Sequence, residues 1–146
     1  MTPDKLERFL EAQNSHRYGG SYEDALAEMR KGKKSTHWIW YIYPQLRGLG
    51  KSEKSYFFGI QDKAEAEAYL AHEILGARLI EITKVLLDLP EKNIYYIVSG
   101  IDASKLRSSM TLFANTENAP QIFEDVLKKY FEGTQDKKTL AKLGLV

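Results

Sequence analysis

A chain of 146 residues fits one domain, 1–146, since domains typically run to about 100–200 residues, and that size buries a sizeable core without staples. The absence of cysteine excludes disulfides and thiolate metal sites, and three scattered histidines, His16, His37 and His72, argue against any metal centre. The net charge is +1 and the isoelectric point about 7.9, which disfavours nucleic acid as a partner because dedicated binding domains are more basic.

The chain opens on Met1–Phe9, where Asp4, Lys5, Glu7 and Arg8 leave no room for the apolar segment of a secretory signal. No later apolar run approaches the roughly 18 residues of a membrane span. The expectation is a cytoplasmic protein with no membrane contact. Over residues 4–14, Leu6, Phe9, Leu10 and Gln13 form one helical stripe. Tyr18-Gly19-Gly20 breaks that helix. Ser21 is a good N-cap for the next, in which Tyr22, Ala25, Leu26 and Met29 recur at helical spacing as far as Gly32.

The most unusual stretch follows, Ser35 to Gly50, holding both tryptophans, Trp38 and Trp40, with His37, Tyr41 and Tyr43 beside them. Aromatic side chains bury the most area and dominate core energetics, so the rest of the chain is expected to pack around this block. On a helix the two tryptophans project about 200° apart, so one is expected buried and the other not. By pattern alone His37–Tyr43 suits a buried strand as well as a helical turn. Asn93–Ser99 has the same character. A lone pair of strands is marginal without further cover, which demotes the β reading. Residues 30–54 also carry seven basic side chains, Arg30, Lys31, Lys33, Lys34, Arg47, Lys51 and Lys54, against Glu53 alone. Such a local excess attracts anions, or serves as a solvated face.

A clearer helical series comes next. Asp62 with Glu65 resembles a capping box, and the alanines after it favour helix. His72–Leu89 keeps an apolar face until Pro90. Asp102 is expected to cap a helix to about Ala114, Asn118-Ala119-Pro120 to start one ending at Gly133, and Asp136 to cap a short last helix ending at Gly144. The expected fold is all-α, a single multihelical domain of about eight helices.

Within Asp102–Phe113, Leu106, Met110 and Phe113 share a core face, while Ser104, Arg107, Ser108 and Thr111 gather opposite, with Lys105 and Ser109 between. Hydroxyls in a helix interior compete with the backbone for hydrogen bonds, and broken local rules tend to mark functional positions. Hydroxyls and cations together suit an anion. The competing reading is that Ser108, Ser109 and Thr111 bond their own i−4 carbonyls and permit close helix contact.

These residues carry a resemblance. Gln13 in Phe-Leu-Glu-Ala-Gln, the run from Ser35 through Pro44-Gln45-Leu46 to Gly50, Tyr69-Leu70-Ala71-His72 with Leu75-Gly76, and Lys105 through Phe113 resemble the uncharacterised bacterial family catalogued as domain of unknown function 1810. The resemblance covers nearly the whole chain. It implies a compact multihelical fold like stacked helical hairpins and no established activity; no cofactor is expected.

From the residues, the expected site is a pocket for an anionic, nucleotide-like small molecule between His37–Gln45 and the Lys105–Thr111 helix. Trp38, Trp40, Tyr41 and Tyr43 offer stacking faces, Gln45 fixes an amide or base edge, and Lys105 and Arg107 neutralise phosphate with hydroxyls from Ser108, Ser109 and Thr111. Arg47 and Lys51 are further cations within reach in sequence. His37 is the natural base for any hydrolysis. A serine nucleophile is weaker, since no Gly-x-Ser-x-Gly turn is present. The alternative is a helical protein–protein interaction module with no catalytic activity, presenting a tryptophan at a hot spot.

Overall fold

The computed structural model describes residues 4–146. Its helices are α1 (Asp4–Gln13), α2 (Tyr22–Lys31), α3 (Ile39–Ile42), α4 (Glu53–Phe57), α5 (Lys63–Ala71), α6 (Leu75–Asp88), α7 (Gly100–Ala114), α8 (Ile122–Phe131) and α9 (Lys137–Lys142), with a 3-10 turn at Ile94–Tyr96. Among the described residues there is no strand; Leu46 and Ile60 form one isolated parallel bridge. The all-α expectation holds, and both aromatic runs that could pass for strands are helical turns. Among the described residues no helix is long and apolar enough to cross a membrane.

Local chemistry explains most boundaries. Ser21 accepts from the Asp24 amide while Asp24 accepts from the Ser21 amide, a reciprocal capping box, and Gly32 ends α2 in the left-handed conformation. Asp62 caps α5 through the Glu65 amide. The Glu65 carboxylate does not close the box onto Asp62: it accepts from the Gln61 amide and pairs with Arg8, joining α1 to α5 across the core. Three expectations need correction. His72 does not lie inside α6; its Nδ1 accepts from the Ile74 and Leu75 amides and supplies the missing cap. Helix α7 is capped by Ser99, not Asp102, which frees the Asp102 carboxylate to meet Lys34 at 2.7 Å. Residues 118–121 precede α8 rather than starting it, with Asn118 at positive φ.

Helix α7 is the hub. It packs on α3, α5, α8, α9 and the 3-10 turn, while α6 packs on α2, α5 and α8. The aromatic block is part of the core: Trp38, Ile39, Tyr41, Ile42 and Tyr43 are all buried. Trp40 is half-buried, so one tryptophan is core and the other is not. Gly19 (φ +149°) lets the loop before α2 approach this block, since a Cβ there would lie 2.1 Å from the His37 carbonyl oxygen.

Candidate functional site

A cleft of about 600 Å³ opens between the outer face of α7 and the segment leading into α9. One wall is Ile101, Ser104, Lys105, Arg107 and Ser108 of α7. The other is Thr134–Lys138, and Gln45 and Leu49 complete the lining. Two hydrogen bonds, one from α7 and one from its C-cap Asn115, hold the second wall in place. The Thr111 hydroxyl accepts from the Asp136 amide at 2.9 Å, and Asn115 donates to the Gln135 side chain at 2.7 Å.

The electrostatics are one-sided. Lys105, Arg107, Lys137 and Lys138 line the cleft with one carboxylate, Asp136. That carboxylate is engaged: its Oδ2 accepts from the Thr139 amide and hydroxyl at the start of α9. Its Oδ1 meets Arg107 Nη2 only at 3.9 Å, and Arg107 Nε is buried with no hydrogen-bond partner among the described residues. Arg107 therefore retains unused donors. Lys105 Nζ lies 5.1 Å from the centre of the Trp40 ring and Lys54 Nζ 4.9 Å from it, so the half-buried indole carries two cations.

The structure divides the sequence-derived candidates. Gln45, Lys105, Arg107 and Ser108 line the cleft together, and Trp40 adjoins it through Lys105. The others lie elsewhere. Trp38 and Tyr41 are core residues rather than stacking faces: Trp38 donates its indole N–H to Glu28 at 2.9 Å, and Tyr41 donates to the Gly20 carbonyl at 2.7 Å. Burial, with Asp24 adding a smaller effect, pushes the Tyr41 phenol up to about 12, so it remains a neutral donor. Ser109 is wholly buried and its hydroxyl has no partner among the described residues; it does not line the cleft. Thr111 is wholly buried too, donating to the Arg107 carbonyl at 2.8 Å while accepting from Asp136. Its hydroxyl builds the wall instead of facing a ligand. Ser108 likewise donates to its i−4 carbonyl, Ser104, at 3.2 Å.

His37 is exposed and does not line the cleft; its carbonyl accepts from the Gly20 amide and the Tyr41 hydroxyl. Arg47 donates Nε to the Tyr56 carbonyl and stacks over the Tyr56 ring, away from the cleft. Lys34, in the basic run, pairs with Asp102 and lies over Trp38, a structural use of charge. The sequence reading missed the Thr134–Lys138 wall. The adjacent lysines after the Asp136 cap were its one visible signal.

A family model described as "Protein of unknown function (DUF1810)" matches residues 3–143. The crystal structure of the conserved hypothetical protein Rv1873 from Mycobacterium tuberculosis superposes with a TM-score of 0.92 at 41% identity, covering 99% of this chain and 100% of that one. No curated protein matches.

Proposed function

The chain belongs to the DUF1810 family of proteins of unknown function, and we propose that it binds a small phosphate-bearing, nucleotide-like molecule in the cleft between α7 and Thr134–Lys138. The observation that carries this reading is the charge set: four cations around the cleft, one of them an arginine with unused donors, against one carboxylate already capping a helix. An arginine fork matches phosphate bidentately, and charge-assisted hydrogen bonds are the strong ones. The volume, about 600 Å³, sits within the roughly 300–1,000 Å³ usual for small-molecule sites. No reaction is assigned, because the one carboxylate at the cleft is tied up and His37 lies outside it. Calorimetric titration with inorganic phosphate and with 5′-nucleotides tests the proposal. Saturable binding that an Arg107→Ala, Lys105→Ala double variant abolishes supports it; no binding by the wild type removes it.

The alternative, an interaction module without activity, draws support from Tyr95, Tyr96 and Ile101, large side chains left more than 60% exposed around the start of α7. It predicts that replacing these residues by serine abolishes recognition of a partner while no small anion binds at the cleft.

A further inference from the structure

Gln45 is 9% exposed and lines the cleft, yet its side-chain amide makes no hydrogen bond among the described residues. A carboxamide at the cleft has two donors and an acceptor to offer a ligand. By contrast Gln13, the other buried glutamine, is fully used: it donates to the Tyr41 carbonyl and the Tyr69 hydroxyl and accepts from Arg78.

The backbone that carries the amide is fixed in place. The Gln45 carbonyl accepts from the Ile60 amide at 2.8 Å, and the Arg47 amide donates to the Ile60 carbonyl at 2.8 Å, so the bridge clamps the backbone on both sides of Leu46. Gly50 brings the following loop against it: a Cβ there would lie 2.3 Å from Ser55 Oγ and 3.7 Å from Gln45 Nε2. A backbone held this way keeps the Gln45 side chain at the cleft wall.

Resting on the phosphate-binding reading above, we propose that Gln45 sets the specificity of the cleft. It selects, among phosphate-bearing molecules, those with a planar base whose edge offers a donor and an acceptor on adjacent positions. Such an edge satisfies both ends of the amide at once. Leu49 and Ile101, also in the lining, supply apolar contact that suits the face of a base better than a hydroxyl-covered sugar. The ligand class is therefore a nucleotide rather than a sugar phosphate or inorganic phosphate.

The test is a calorimetric titration of wild type and Gln45→Met with inorganic phosphate, ribose 5-phosphate, AMP, GMP, CMP and UMP. A bidentate amide–base pair is worth about tenfold or more in affinity. Wild type is expected to bind at least one nucleotide that much more tightly than ribose 5-phosphate. Gln45→Met should lose that preference while binding inorganic phosphate and ribose 5-phosphate as wild type does, which also reports that the variant is folded. A preference that survives in Gln45→Met overturns the inference and leaves the phosphate-binding reading intact. So does wild type binding ribose 5-phosphate as tightly as every nucleotide, a result that needs no variant. Failure of wild type to bind any of the six removes both.

Discussion

The Thr111 hydroxyl bridges two helices: it donates to the Arg107 carbonyl at 2.8 Å and accepts the Asp136 amide at 2.9 Å. Twenty-five residues apart in sequence, these two positions join the walls of the cleft. Thr111→Val keeps the shape of a wholly buried side chain but leaves the Asp136 N–H without its acceptor. The expected cost is about 1–3 kcal/mol, read as a lower melting temperature with faster amide exchange at Asp136. Unchanged melting and unchanged exchange would show that the second wall is held by other contacts.

Arg107 is expected to serve binding more than stability. Its pairing with Asp136 is long and partly exposed, and exposed pairs contribute about 0–1 kcal/mol. Arg107→Lys should therefore leave the melting temperature nearly unchanged while weakening phosphate binding by roughly tenfold, since lysine presents a point charge instead of a fork. Equal phosphate affinity in variant and wild type takes Arg107 out of the site.

The two tryptophans should differ sharply. Trp38 is wholly buried and Trp40 half-buried beneath two lysines. Trp38→Ala should cost about 3–5 kcal/mol, and Trp40→Ala markedly less. Chemical denaturation of both variants checks this, and equal losses would contradict the assignment of Trp38 as the core anchor.

Glu28 adds a pH dependence. Burial raises its carboxyl, but hydrogen bonds from the Thr36 hydroxyl, the Thr36 and Ser35 amides and the Trp38 indole outweigh it and hold the pKa below the ordinary 4.5. A group with a lowered folded pKa contributes stability that is present above the unfolded value and lost as pH falls through the folded one. The melting temperature should drop as pH falls below 4.5. In the same window the gap between wild type and Glu28→Gln should close. A gap of constant size from about pH 7 to about pH 3 would mean that Glu28 is not the group being titrated.

Much of the fold was legible because its signals are local. Ser21 with Asp24, Asp62 and Asp136 act as the caps their spacing announces, and the apolar faces of α6 and α8 bury as their periodicity requires. The short α4 escaped notice, its Ser52 cap preceding only five helical residues. The candidate site was half legible. Lys105, Arg107, Ser108 and Gln45 meet at one cleft. Trp38, Tyr41 and Tyr43 were misread as stacking faces because a continuous aromatic run looks the same whether it lines a pocket or fills a core; only tertiary packing buries them. For Ser108 and Thr111 the competing i−4 reading describes the hydroxyls directly. The far wall depends on the Thr111–Asp136 hydrogen bond, a contact no local pattern encodes.

The location of the site can be read residue by residue from backbone amide shifts in a ¹⁵N-labelled sample titrated with inorganic phosphate and then with a 5′-nucleotide. Saturable changes are expected at Ser104–Ser108 and Thr134–Lys138, with the nucleotide extending them to Gln45 and Leu49. The amides of Ser35, Thr36 and His37 should stay unmoved. Changes centred instead on the basic run 30–34 or on His37, or no saturable change anywhere, would contradict the assignment of the cleft as the binding site.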